Sequence, residues 1–303
     1  MIKLFRITNH VGESIEFELT HPEKSGFIVE SVDGLGPVKA TINITEVITN
    51  DGGIYNSARS SVRNLVFRLK FLQTDEETIE DVRQKSYKFF PLKKSIQVFI
   101  ETDNRSLTCE GYVESNEPDI FSKQSGTQVS IICPDPYLYT TGLNVENISD
   151  IQPMFEFPFE NLSLTEPKLE LSRITEKAQH EIIYEGEVDI GVSMLIHAKG
   201  EVNNITIHNL NTREKMMIDT DKIRSLTSVP FSEGDTIHIC TKKNNKRILL
   251  IRNGESYNIL NCLKRDSKWF VLTKGINNFA YTAESGSENL EFLVSNETIY
   301  DGV

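Results

Sequence analysis

The feature that most constrains this chain is a pair of alternating apolar runs with a long polar segment between them. Val38, Ala40, Ile42 and Ile44 are apolar while Lys39, Thr41, Asn43 and Thr45 are polar, which is the period-2 pattern of a strand with one buried face. Leu65, Phe67, Leu69 and Phe71 repeat the pattern against Asn64, Arg68 and Lys70. Residues 46–63 between them are too polar and glycine-punctuated for a core element, and Asp51-Gly52-Gly53 supplies a turn that accepts positive φ. The expectation is strand, long loop, strand. A loop of this length in a compact domain is usually functional or disordered. This one holds Val47, Ile48, Ile54 and Tyr55, then Arg59 and Arg63, groups suited to docking on another surface.

Residues 33–37 (Asp-Gly-Leu-Gly-Pro), the run from Asp51 through Tyr55 to Arg59, and the strand Arg63-Asn64-Leu65-Val66-Phe67 together resemble the N-terminal half of the distal tail proteins (Dit) of long-tailed bacteriophages. Gly111-Tyr112-Val113-Glu114, Phe121-Ser122 and the Pro134-Asp135-Pro136-Tyr137 element extend the resemblance over most of residues 1–139. It implies a strand, a protruding belt-like loop and a return strand. It further implies a homohexameric ring at the tip of the tail tube, with Val47, Ile48, Ile54, Tyr55, Arg59 and Arg63 helping to close one subunit on the next.

Composition sets the outer limits. No apolar run approaches the ~20 residues of a membrane helix, and the N-terminus alternates like a strand and lacks the apolar core of a secretory signal; folding in a cytoplasm is the expectation. A net charge of −12 argues against general nucleic-acid binding, which needs a surplus of Lys and Arg. Cys109, Cys133, Cys240 and Cys262 are far apart in sequence without metal-ligand spacing, so buried, reduced thiols are expected.

Short strands are expected through residues 3–32, most clearly where Ile15, Phe17 and Leu19 alternate with Glu16 and Glu18. After Leu72 a helix is expected. Thr74 and Glu77 form a capping-box pattern, acids lead and bases follow, Ile79, Val82 and Phe89 or Phe90 share a face, and Pro91 ends it. Residues 95–101 and 107–114 read as a hairpin, and 128–133 as a further strand. The two prolines at 134 and 136 favour an extended connector, so the domains are expected at 1–140 and 141–303. Beyond the connector, alternation at Val188, Ile190, Val192, Met194 and Ile196 and short strands near 205, 215, 236, 247 and 289 indicate a second β domain without a convincing helix. The fold class is therefore mainly β: a β-sandwich-like first domain with one helix and a long belt loop, then a β-sandwich or jelly roll. The resemblance implies that this second half is galectin-like.

Catalytic patterns are missing: no Ser elbow, P-loop or dinucleotide fingerprint is present, and acids are abundant without any pair being singled out for glycoside chemistry. His197, His208 and His238 have no ligand spacing and read as structural. Trp269, between Lys268 and Phe270, offers a face that stacks on sugars, with core packing as the competing use. From residue 54 to 74 there is no acid, while Arg59, Arg63, Arg68 and Lys70 fall within it, so this run is a candidate for meeting an acidic neighbour; a solvated strand face is the alternative for Arg68 and Lys70.

The resulting expectation is a non-enzymatic structural protein without cofactor or metal, located at the virion tail tip and assembled in the bacterial cytoplasm. Its partners, as the resemblance implies them, are further copies of itself, the tail tube protein, a tail-tip or tail-associated lysin protein, and receptor-binding or baseplate proteins. The alternative is a carbohydrate-binding module that meets cell-wall saccharide through the second domain.

Overall fold

The computed structural model describes residues 1–46, 51–75, 77–121, 125–147, 150–153, 172–175 and 180–303. Two compact units emerge: residues 1–142 together with 299–303, and residues 143–298. The last five residues thus belong to the first unit, unlike the expected division in which they close the second domain. The physical reason is a strand pairing described below.

In the first unit the strands are β1 (Ile2–Thr8), β2 (Ser14–Glu18), β3 (Phe27–Asp33), β4 (Ala40–Glu46), β5 (Gly53–Ser60), β6 (Arg63–Phe71), β7 (Ser95–Thr102), β8 (Ser106–Asp119), β9 (Gly126–Cys133) and β10 (Leu138–Thr140). Seven of them form an antiparallel sheet in the order β2-β1-β7-β8-β9-β6-β3. β10 pairs with β8 and with a last short strand, Ile299–Tyr300, through Leu138 opposite Tyr300 and Tyr139 opposite Ile299. Phe17 on β2 meets Phe27 on β3 edge to face at 5.4 Å, so the two ends of the sheet approach each other around a shared core. That core contains Phe5, Ile7, Phe67, Val98, Ile100, Leu107, Val129 and Ile131, one residue in two along each strand, as period-2 burial requires.

Helix α1 (Ile79–Phe89) lays Val82, Ser86 and Phe89 on this core. It begins a turn later than the Thr74–Glu77 pattern suggested. Thr78 is the N-cap: its hydroxyl accepts from the Asp81 amide at 3.3 Å and the Asp81 carboxylate accepts from the Thr78 amide at 3.0 Å. Asp completes this reciprocal box as Glu would have done at position 77, while Thr74 only anchors the preceding turn through the Glu77 amide. Ile79, expected on the buried face, is exposed.

The second unit contains β11 (Asn144–Asn147), β12 (Asp150–Pro153), β13 (Ser172–Thr175), β14 (His180–Tyr184), β15 (Ile190–Gly191), β16 (Ser193–Ala198), β17 (Asn203–Asn209), β18 (Glu214–Ile218), α2 (Thr220–Thr227), β19 (Thr236–Cys240), β20 (Arg247–Arg252), β21 (Glu255–Asn258), β22 (Val271–Leu272), β23 (Gly275–Ser285) and β24 (Leu290–Asn296). A six-stranded sheet, β11-β24-β16-β19-β20-β21, and a four-stranded sheet, β14-β23-β17-β18, carry most of it. Met194, Ile196, Ile237, Ile239, Ile248, Leu250, Phe292 and Val294 from the first sheet, and Ile182, Ile205, Ile207, Met216, Phe279 and Tyr281 from the second, are buried. Tyr281 stacks on Phe292 at 5.4 Å, joining the two layers. This is a mainly β, sandwich-type architecture. The helix α2 corrects the expectation of a second domain without one: Asp219 caps it by accepting from the Lys222 amide at 3.2 Å, and Ile223 is its buried anchor. Among the described residues no helix is long and apolar enough to cross a membrane.

Candidate functional site: the exposed hairpin and its base

β4 and β5 pair with each other and, among the described residues, with no other strand. The expected long loop is therefore mostly a strand that folds back on its predecessor. The alternation in β4 is real, but its apolar side is not buried: Ile42 and Ile44 are 57% and 58% exposed, and Ile54 and Tyr55 of β5 are 60% and 64% exposed. Register places Ile42 opposite Ala58 and Ile44 opposite Tyr55, with an irregularity at Asn43 that absorbs one extra residue. Partners across an antiparallel pair point to the same side, so Ile42, Ala58, Ile44 and Tyr55 form one apolar stripe. The opposite side carries Thr41 beside Arg59, Asn43 bonded to Ser57 at 2.9 Å, and Thr45 beside Ile54. A two-stranded hairpin is marginal in water by itself, and an apolar stripe on such a hairpin suits a partner surface. Val47 and Ile48 lie outside the described residues.

Arg59 sits on the polar side of the hairpin and, among the described residues, forms no ion pair. Arg63 is placed differently. It is the first residue of β6 and not a loop residue, and it is fully buried. Its Nε donates to the Pro136 carbonyl at 2.7 Å, Nη1 to the carbonyls of Gly36 at 2.9 Å and of Gly34, and Nη2 to the Asp301 carbonyl at 2.6 Å. Burial lowers its pKa from the ordinary arginine value. Four neutral acceptors hold one cation inside the first unit, directly beneath the hairpin, whose strands end at Ser60. Gly34 makes this possible: its φ is +88°, and a Cβ there would stand 2.0 Å from the Asn64 carbonyl oxygen.

The expected basic patch is also divided. Arg68 pairs with Asp33 at 2.9 Å and reaches the Ser31 hydroxyl at 3.1 Å, and Lys70 pairs with Glu30. Both acids lie on β3, which is the register neighbour of β6, so the acid-free stretch in sequence is neutralised across the sheet. Arg59 alone of the four remains as an unpaired cation among the described residues.

In the second unit the three strand histidines each meet a hydroxyl: His238 with Ser193 at 2.7 Å, His197 with Thr236 at 3.0 Å and His208 with Thr282 at 3.3 Å. Among the described residues no three His, Cys, Asp or Glu are placed to hold a metal ion. Trp269 is half-buried with the Lys246 ammonium 5.5 Å from its ring centroid, while its neighbour Phe270 is fully buried and tilted against Phe279.

No protein-family model matches the chain, and no curated protein matches it. Solved structures do. The Dit (gp 19.1) protein of SPP1, described as a paradigm of the hub adsorption apparatus in phages that infect Gram-positive bacteria, superposes with a TM-score of 0.64 at 12% identity, over 97% of this chain and 99% of that one. The chain has the distal tail protein fold. Structures of the phage p2 baseplate in its activated conformation, with Sr and with Ca, align at 14% and 13% identity with TM-scores of 0.46 and 0.47, over 99% and 100% of both chains. At that coverage the likeness to the SPP1 protein takes in both units.

Proposed function

We propose that this chain is a structural hub of a phage tail tip, in which copies join into a closed ring through the first unit and the second unit is left to carry other tail components. The observation that carries the reading is the apolar stripe Ile42, Ile44, Tyr55 and Ala58, displayed on a hairpin of a distal tail fold. In a closed ring each copy presents one surface to the next and a different one to the last. A hairpin that pairs, among the described residues, with no further strand supplies the first of these, and Arg59 on its polar side gives the contact a charge to orient it. The reading also assigns Val47 and Ile48 to the interface. Arg63 takes the other role, fixing the base from which the hairpin leaves. The ring number carried over from the family is six. The partners assigned by this reading are the tail tube protein on one side, a tail-tip or tail-associated lysin protein on the other, and receptor-binding or baseplate proteins. No catalytic step belongs to it, and its location is the virion tail tip after assembly in the bacterial host.

Light scattering on the full chain, coupled to size exclusion, tests the reading. A ring-sized species seen also as closed rings in negative stain is expected. A monomer at every concentration would remove the proposal.

A further inference from the structure

The charge that the hairpin segment lacks is concentrated elsewhere. Between residues 242 and 274, nine Lys and Arg stand against two acids, Glu255 and Asp266, in a chain whose balance is −12. Two of the nine are accounted for within the fold: Lys242 pairs with Glu297 at 2.7 Å, and Arg252 with Asp235 in a nearly buried pair. Among the described residues Lys243, Lys246, Arg247 and Lys268 have no carboxylate partner.

The fold brings the segments that carry these cations together beside Trp269. The β19–β20 turn, which carries Lys243 and Lys246, is held against the segment before β22 because the Thr241 hydroxyl donates to the Phe270 carbonyl at 2.7 Å. Lys246 then lies over Trp269. The Lys268 amide donates to the Lys215 carbonyl at 2.9 Å, which sets an exposed lysine of β18 beside the segment that carries Trp269. Arg247 opens β20 immediately after Lys246, and its charge reaches His238 across the sheet.

We infer that Lys243, Lys246, Arg247, Lys268, Lys215 and Trp269 form a binding surface for a polyanionic saccharide, a sugar polymer that carries phosphate groups. Ammonium groups act as mobile point charges for phosphate, and an indole face that is partly open and rimmed by cations suits a sugar ring beside its anionic substituent. An acidic protein surface is the weaker fit. Protein interfaces centre on a buried apolar core, and Trp269 is the one apolar residue in segments 242–247 and 264–269.

Trp269 is the only tryptophan of the chain, so its fluorescence reports on the surface directly. The full chain is titrated at physiological salt with phosphorylated dextran, neutral dextran of the same length, inorganic polyphosphate and poly-glutamate. Phosphorylated dextran is expected to shift the emission, more weakly as salt rises, with the other three at least about tenfold weaker. The double variant Lys246→Glu, Lys268→Glu, which retains the reporter, is expected to lose the response with an unchanged circular dichroism spectrum. No response to phosphorylated dextran overturns the inference. An equal response to neutral dextran removes the charge, an equal response to polyphosphate removes the sugar, and an equal response to poly-glutamate indicates an acidic protein instead; each of these also overturns it. The comparison among probes holds for the unaltered chain whether or not the variant folds, and whether or not copies assemble into a ring.

Discussion

The Arg63 guanidinium donates to the Asp301 carbonyl at 2.6 Å, joining positions 238 apart in sequence. The same group holds the turn at Gly34 and Gly36 and the extended connector at Pro136. Three stretches that are separate in sequence thus meet on one cation at the start of β6. Tyr300 adds to the closure, buried against the core with the Arg105 guanidinium 3.9 Å from its ring centroid, and the Val303 amide donates to the Leu35 carbonyl at 3.0 Å.

Replacing Arg63 with Met leaves four carbonyls short of a donor and puts an uncharged chain into their cage. Loss of such charge-assisted bonds is expected to cost about 3–5 kcal/mol, read as a lower urea midpoint of the full chain. Arg63→Lys is expected to recover little, because an ammonium does not span four acceptors in the fork geometry of a guanidinium. A midpoint unchanged in Arg63→Met would show that the carbonyl cluster contributes nothing to stability.

Gly34→Ala meets the same site from the other side. With φ at +88° and the Asn64 carbonyl oxygen 2.0 Å from the added carbon, the turn must move, and Arg63 loses part of its cage. A destabilisation above about 1 kcal/mol is expected. Gly52→Ala, at φ +87° in the open hairpin turn with nothing within 4 Å of the added carbon, serves as the comparison, since it carries the backbone strain without the collision.

Much of this fold is legible in the sequence, because period-2 alternation directly reports burial on one side of a strand. It located β6, β7, β8, β9, β16, β17, β19, β20 and β24 within a few residues. The same signal misleads at β4. There the apolar side of the alternation faces away from any core of this chain, and a sequence does not state which surface covers an apolar stripe. Arg63 reads in sequence as a loop residue for a related reason: its acceptors come from residues 34–36, 136 and 301, and none of these is near it in sequence. The basic run at residues 54–74 dissolves because a sheet neutralises charges across strands, Arg68 with Asp33 and Lys70 with Glu30. The excess of cations could have been found by counting charge over residues 242–274; that the turn carrying Lys246 lies against Trp269 required the contact between Thr241 and Phe270. Helix α2 carried a readable cap at Asp219, but its eight residues are too short for periodicity to stand out.

The hairpin stripe separates assembly from folding. Ile44→Asp with Tyr55→Ser alters two exposed side chains, so the unfolding free energy of the monomer is expected to stay within about 0.5 kcal/mol of the parent, while the ring is lost at physiological salt. Arg59→Glu is expected to weaken the ring and leave the fold intact, with an effect that diminishes as salt screens the contact. Rings that persist in the Ile44 and Tyr55 double variant would place the interface elsewhere.

All four cysteines are free and buried. The Cys109 thiol is hydrogen-bonded to Cys133 and buried, and both influences push its pKa above the ordinary thiol value; burial also raises that of Cys262. Because the thiolate is the reactive form, Ellman's reagent is expected to label the folded chain slowly at neutral pH and to react with all four thiols once guanidinium unfolds it. Rapid labelling of Cys109 in the folded chain would contradict the buried placement of β8.

His238 ties the stability of the second unit to pH. Burial first, and the Arg247 charge second, hold its pKa below the ordinary 6.5, so the folded unit keeps the ring neutral beside the Ser193 hydroxyl at 2.7 Å. A histidine whose pKa is depressed on folding binds its proton more readily when unfolded. Its contribution to stability is therefore present above the unfolded value of 6.5 and is lost as pH falls through the folded value. On acidification from about pH 7.5 to about pH 5, the parent is expected to lose more thermal stability than His238→Gln, which has no proton to gain at that position. Arg247→Ala removes the repelling charge and leaves the burial in place, so the His238 ring titration, followed by NMR, is expected to move up toward 6.5 without reaching it. A midpoint that stays in place in Arg247→Ala would mean that the arginine charge is screened before it reaches the ring, with burial alone setting the shift.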